Sequence, residues 1–191
     1  MILASSSPRR RELLTQIGVH FTTQPADIDE TPLQNEGAVA YVERMALSKA
    51  RKVSEQFPGE VVLGSDTSVI WSGEILGKPV NNREAEETLR RLSGQTHQVL
   101  SAVALVRGAQ EQVISVATQV RFRELTDEEI TRYVATGEPA DKAGSYGIQG
   151  KGAILVAGIE GSYSNVVGLP LTETAALLNE FDVPFWHAEE T

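Results

Sequence analysis

Along the chain the spacing of apolar positions changes repeatedly, and each change marks an element. Ile2-Leu3-Ala4 is a short apolar run that suits the end of a buried strand, and Leu13, Leu14 and Ile17 then share one helical face. Ser7 followed by Pro8 starts that helix, because a hydroxyl caps orphan N–H groups and proline fits the first helical position; Gly18 supplies the stop. Val19 to Thr23 predicts a strand, leading into the loop "QPADIDETP". A second helix is expected from about Gly37 to Phe57, with Val39, Val42, Ala46, Val53 and Phe57 at helical spacing. Lys49 follows Ala46 by three positions and Val42 by seven, so it falls on that inward stripe, whereas Arg44, Arg51 and Lys52 mostly point elsewhere.

The pattern then shifts toward strands. Val61-Val62-Leu63 and Val69-Ile70-Trp71 read as strand, and Ser72-Gly73 is the turn before Glu74-Ile75-Leu76. Gly64-Ser65-Asp66-Thr67 is thereby left inside an apolar stretch rather than at a hairpin tip. Lys78 precedes Pro79 and is held extended. A helix from Arg83 to Leu92 has Asn81 or Asn82 as cap and Gly94 as stop. Thr96 to Val106 and Gln112 to Phe122 are rich in Val, Ile and Thr, and the intervening "RGAQ" suits a hairpin. Thr126 and Glu129 form a capping box for a helix that ends by Gly137. Seven of the chain's 16 glycines lie between Gly144 and Gly168, a density that means tight turns or backbone lying close to something. Pro170 opens a last helix with Leu171, Ala175 and Leu178 inward. The order is mixed α/β, with long central strands that are partly antiparallel.

Composition narrows the chemistry. The 191 residues suffice for one well-buried core or one domain with two lobes, and no apolar run is long enough to span a bilayer. Met1 leads straight into the first strand, so no signal peptide is expected; with no cysteine in the chain, a cytoplasmic protein is the expectation. The three histidines have no metal-ligand spacing. A formal net charge of -9 argues against DNA or RNA lying on a broad basic face but allows a small anion in a local basic pocket.

Such a pocket is suggested where the chain is most basic. Dipole logic favours Asp or Glu in a helix's first turn, yet Arg9, Arg10 and Arg11 occupy the first turn of the first helix. Either an anion relieves their repulsion, or they form a solvated basic patch paired with the protein's many carboxylates. No Walker-type phosphate loop and no G-x-S-x-G elbow occurs. An inward Lys49 either snorkels or meets an anion. Asp66 is hydrogen-bonded, paired or metal-bound if buried, and otherwise a loop aspartate between two short strands. Cations at Arg9, Arg10, Lys49 and Lys78, with carboxylates at Asp29, Glu30 and Asp66, together suit phosphoanhydride hydrolysis. Cations neutralise phosphate oxygens, and carboxylates hold a hard divalent ion or take a proton from water.

The segments "LASSSPRRRELL", "IDETP", "SKAR", "GSDT", "GKP", "LSGQTHQV" and "DKAGSYGIQG", in this order, resemble the motifs of the Maf family of nucleoside triphosphate pyrophosphatases, and "VVGLPL" extends the match to Leu171. The resemblance implies one Maf-like domain over residues 1–191. It implies an α/β fold like that of inosine triphosphate pyrophosphatases, with a long mixed central sheet and two lobes around a cleft. The reaction it implies is hydrolysis of a nucleoside triphosphate to the monophosphate and pyrophosphate with a divalent cation, Mg2+ or Mn2+. A homodimer is expected from the family alone.

Carried onto this chain, the resemblance makes Asp66 the catalytic base or a metal ligand beside it, and has Glu30 help to hold metal or water. Ser5, Arg9 and Arg10 would hold the triphosphate at the first helix, Lys49 and Lys78 would complete the cationic clamp, and Gln149 would face the base. Asp141 belongs to a motif without an assigned role. Relatives resembling the 7-methyl-GTP enzymes carry tryptophan in place of Arg9, glutamine in place of Thr67 and an acidic residue in place of Gln149. Arg9, Thr67 and Gln149 match the members that hydrolyse dTTP and UTP, and a neutral amide suits a pyrimidine edge. The alternatives are 7-methyl-GTP hydrolysis and a non-catalytic nucleotide-binding regulator of septation. Ser6 departs from the glycine of some members, which is tolerable unless the backbone there takes positive φ.

Overall fold

A computed structural model describes residues 1–186. The described residues form seven strands and six α-helices: β1 (Ile2–Leu3), α1 (Pro8–Gln16), β2 (Thr22–Thr23), α2 (Ala38–Ser54), β3 (Val62–Trp71), β4 (Glu74–Leu76), α3 (Asn82–Leu92), β5 (Thr96–Arg107), β6 (Gln110–Phe122), α4 (Asp127–Val134), β7 (Val156–Glu160), α5 (Tyr163–Val167) and α6 (Leu171–Glu180). The strands hydrogen-bond in the order β2-β1-β3-β5-β6-β7, with β4 on β3. Pairing is mixed, as expected: β1 lies parallel to β2 and β3, while β3–β4 and β6–β7 are antiparallel. Two compact units result. One comprises Met1–Asp66, Ser101–Val116 and the residues from Gly168 onward; the other comprises Thr67–Leu100 and Ala117–Val167.

In the first unit, β1 and the start of β3 pair at Ile2↔Val62 and Leu3↔Leu63. The helix start was legible. Ser7 caps α1 by accepting from the Arg10 N–H, and Pro8 takes the first helical position. The strand expected over Val19–Thr23 shrinks to Thr22–Thr23, because the chain first completes the end of α1. Gly18 turns at φ 68°, and the Val19 N–H then donates to the Leu14 carbonyl at 3.1 Å. Helix α2 buries Val42, Met45, Ala46, Lys49, Ala50 and Val53. Val39 and Phe57, expected on that stripe, are exposed instead: Val39 lies in the first turn, and Phe57 lies beyond the last helical residue, Ser54. Helix α6 buries Thr174, Leu177 and Leu178, with Phe181 following them. Leu171 and Ala175 are only half-buried, so the inward face is rotated from the expected one.

Gly64 sets the distance between β3 and α2. A β-carbon on Gly64 would collide with the Ala46 carbonyl oxygen and stand 2.7 Å from the Ala50 nitrogen. The helix backbone therefore lies directly on the strand. Side chains alternate across a strand, so Asp66 emerges on the same face as Gly64, beneath the turn of α2 that carries Lys49.

The second unit has a core of Leu89, Leu92, Val120, Phe122, Ile130 and Val134 with their neighbours. Ser72 and Gly73, at φ 51° and 82°, turn β3 into β4 as the sequence predicted. Asn81 caps α3, and Thr126 with Glu129 makes the full capping box on α4. His97, Phe122 and Tyr146 pack edge to face, and His97 Nε2 lies 2.8 Å from the Tyr146 hydroxyl. Burial pushes the His97 imidazole down to about 4. Strand β7 and helix α5 had no advance signal, because Gly158 and Gly161 gave their segment the look of a turn series. No helix among the described residues is long and apolar enough to cross a membrane.

Candidate active site

Lys49 is the hub of the first unit's charged cluster. It is only 8% exposed, as is Asp66, so neither charge could be left alone at modest cost. Its Nζ donates to Asp66 Oδ1 at 2.7 Å and pairs with Glu30 Oε1, also at 2.7 Å. Of the two expectations for an inward lysine, the structure thus realises the one with anions. Asp66 sits within continuous β3, not in a loop between two strands.

Glu30 is carried on an exposed loop, yet α2 anchors that loop. The Tyr41 hydroxyl donates to the Glu30 carbonyl at 2.9 Å, and Arg44 donates to the Thr31 carbonyl at 3.2 Å while gripping Glu36 through two hydrogen bonds. Burial pushes the Tyr41 phenol up to about 12, with the Asp66 and Glu30 charges adding to the effect. Pattern reading missed Tyr41 and Arg44 as anchors of this loop: they stand about 80° and about 140° from Lys49 around α2, off its inward stripe, and no motif marks them.

At the start of α1, Ser5 Oγ accepts from the Ser7 N–H at 3.1 Å and from Arg10 Nη1 at 3.3 Å. Arg10 Nε donates to the Gly168 carbonyl at 3.0 Å, and the buried Ser65 hydroxyl donates to the same oxygen at 3.3 Å. Burial lowers the Arg10 pKa; Asp66 opposes that shift, Arg9 reinforces it, and Glu30 opposes it. Arg9 is half-buried and has no hydrogen-bond or ion-pair partner among the described residues. An arginine at a helix N-terminus, beside a second one and without a carboxylate, is a ready anion site. Ser6 does not take positive φ, so its hydroxyl brings no backbone strain.

Asp66 and Glu30 offer hard oxygen donors converging on one point, now marked by the Lys49 ammonium. Mg2+ is commonly held by one or two carboxylates plus substrate phosphates, so this donor set fits a Mg2+ or Mn2+ ion shared with a triphosphate. It does not fit a protein-only cage: among the described residues no group of three or more His, Asp or Glu converges.

The other candidates belong to the second unit. Thr67 is half-buried in β3, directly after Asp66. Lys78 is exposed after β4 and has no hydrogen-bond or ion-pair partner among the described residues. Gln149 is exposed at the tip of a turn closed by the Gly150 N–H donating to the Gly147 carbonyl at 3.2 Å. Asp141 pairs with Lys142 at 2.7 Å.

A buried carboxylate–ammonium pair, with the Arg10 guanidinium close enough for Asp66 and Glu30 to act on its charge, suits the binding and hydrolysis of a polyphosphate. Known proteins agree with that chemistry. A relative from Symbiobacterium thermophilum, named a dTTP/UTP pyrophosphatase, is 54% identical over 97% of this chain and 96% of its own length. One of the same name from Myxococcus xanthus is 54% identical over 98% of this chain and 96% of its own. A third, from Colwellia psychrerythraea, is 56% identical over 93% and 86% respectively, again named dTTP/UTP pyrophosphatase. The family model described as "Maf-like protein" matches residues 1–181, and the chain belongs to the Maf family.

Proposed function

We propose that this protein is a nucleoside triphosphate pyrophosphatase that hydrolyses dTTP and UTP to the monophosphate and pyrophosphate. The observation that carries the reading is the Lys49 ammonium held 2.7 Å from both Asp66 and Glu30, with the Arg10 guanidinium near enough for both carboxylates to act on its charge. Arg9, Arg10 and Ser5 bind the phosphates at the start of α1, and Lys49 moves from its carboxylates onto a phosphate oxygen. Lys78 adds a second ammonium, and Gln149 meets the base. Asp66, freed of Lys49, accepts the proton of the attacking water as the α–β phosphoanhydride bond breaks and pyrophosphate leaves. Asp66 and Glu30 would hold the divalent ion, which supplies charge neutralisation on the phosphates. One catalytic domain over residues 1–191, two lobes around a cleft, cytoplasmic location and homodimerisation belong to this reading through the family resemblance.

Selectivity is expected to reside in Arg9, Thr67 and Gln149. Nothing acidic or aromatic at these positions would hold a cationic methylated purine, and a hydrogen-bonding site rejects a base that leaves its polar groups unpaired. The test is a panel of dTTP, UTP, CTP, GTP and 7-methyl-GTP under one metal condition, with pyrophosphate as the readout. dTTP and UTP should have the highest kcat/KM. The triple substitution Arg9→Trp, Thr67→Gln and Gln149→Glu should move preference toward 7-methyl-GTP. An unmodified protein that prefers 7-methyl-GTP would overturn the pyrimidine assignment, and absence of pyrophosphate release from every nucleotide would overturn the reaction.

A further inference from the structure

The part of the glycine-rich segment that carries Gln149 is wrapped around one carboxylate. Glu138 Oε2 accepts from the Lys151 N–H at 2.8 Å, and Oε1 accepts from the Gly152 N–H at 2.9 Å. Oε1 also accepts from the Tyr133 hydroxyl at 2.8 Å, and that hydroxyl oxygen accepts the Gly147 N–H at 3.2 Å. Lys142 donates to the Glu138 carbonyl at 2.9 Å, which ties down the carboxylate's own backbone. Two glycines make the approach possible. A β-carbon on Gly150 would collide with Glu138 Oε2, and one on Gly152 would stand 2.6 Å from the Tyr133 hydroxyl. The glycine density marked backbone lying close to something, and here that something is Glu138 with Tyr133.

This clamp bears on how a base can be read. Uracil and thymine present a carbonyl where cytosine presents an amino group, and the ring nitrogen beside it switches from donor to acceptor. A glutamine amide can satisfy either edge by turning over, since it carries a donor and an acceptor of nearly equal size. The Gln149 side chain has no partner among the described residues to fix its orientation. A main-chain N–H cannot turn over into an acceptor. Clamping spends the N–H groups of Gly147, Lys151 and Gly152, leaving those of Ile148 and Gln149 without a partner among the described residues.

We propose that Glu138, acting with Tyr133, is a positioning residue for base selection: it clamps the loop Gly147–Gly152 so that the N–H groups of Ile148 and Gln149 present a fixed donor face to a pyrimidine carbonyl. The inference rests on the reading that Gln149 meets the base. Glu138 touches no substrate, and its effect passes through the loop's geometry.

The test compares Glu138→Gln and Tyr133→Phe with the unmodified protein, measuring kcat/KM for UTP and CTP and, without nucleotide, hydrogen exchange in peptides covering 147–152. Tyr133→Phe keeps the ring that packs in the core, so it reports on the clamp even if Glu138→Gln folds poorly. Both variants should exchange faster in this loop. The UTP-to-CTP ratio should fall on the order of tenfold, the effect expected from losing hydrogen bonds to a charged group, with KM for UTP moving more than kcat. Faster exchange with an unchanged ratio would overturn the selective role, and unchanged exchange would overturn the clamp. If the unmodified protein does not distinguish UTP from CTP, the reading of Gln149 fails, and this inference fails with it.

Discussion

Gly64→Ala tests whether the fold sets the reactive geometry. The added methyl would collide with the Ala46 carbonyl oxygen and sit 2.7 Å from the Ala50 nitrogen, both of them helix backbone. Carbon contacts settle near ~3.5–4 Å, so α2 must withdraw from β3 by roughly 1 Å. Overpacking of this kind typically costs about 1–3 kcal/mol. Lys49 lies between Ala46 and Ala50, and a shift of that size takes its 2.7 Å contact with Asp66 beyond hydrogen-bonding distance. Misplacement of reacting groups by about 1 Å can cost ~10²-fold in rate. Urea unfolding without nucleotide should show a lower midpoint at unchanged slope, and kcat for dTTP should fall ten- to a hundredfold, on the order that geometry predicts. Gly37→Ala is the control. It starts the same helix at φ -71°, with nothing within 4 Å of its β-carbon, and should leave stability within about 1 kcal/mol. Wild-type midpoint and turnover in Gly64→Ala would show that the close seat of α2 does not place Lys49.

Asp66→Asn should lower kcat by ~10²–10⁴-fold while dTTP binding stays measurable, because the amide keeps the shape but cannot take a proton. Near-wild-type turnover would reduce Asp66 to a structural partner of Lys49. Arg9→Ala should weaken dTTP binding by roughly ten- to a hundredfold without lowering the nucleotide-free melting temperature, since Arg9 has no partner to lose among the described residues. Loss of thermal stability with unchanged affinity would contradict it. His97 falls from 6.5 to about 4 on folding, so the unfolded chain binds the extra proton between those values. That part of stability is complete above about pH 6.5 and is lost as pH falls toward about 4, a loss on the order of 3 kcal/mol. Unfolding of His97→Phe across this window should lack that slope, and an identical slope in both proteins would refute the assignment.

Local chemistry was the legible part of the sequence. Ser7-Pro8, Ser72-Gly73, Asn81 and Thr126-x-x-Glu129 each specify a cap or turn through atoms within a few residues, and each appears where read. Lys49 was placed inward by helical spacing alone. Its two carboxylate partners were not legible, since Glu30 and Asp66 reach it from a loop and a strand. Val39 and Phe57 misled because periodicity gives a helix's phase but not where its neighbours end. The glycine cluster signalled close contact without naming the group, and Glu138 precedes it by a stretch that carried no pattern of its own.

The Gly168 carbonyl that orients Arg10 lies 158 residues further along the chain. A contact so distant in sequence contributes nothing until most of the polypeptide has been made and folded, and the loop it closes is among the slowest kind to form. During synthesis the guanidinium near the amino terminus therefore waits, without its final orientation, for a carbonyl near the carboxyl terminus. If Ser5, Arg9 and Arg10 bind the phosphates as proposed, a partly made chain holds these residues without their final geometry, and nucleotide should not stabilise it. Ligand bound only by the finished fold deepens that state alone, which makes the triphosphate a late and selective stabiliser of completed molecules.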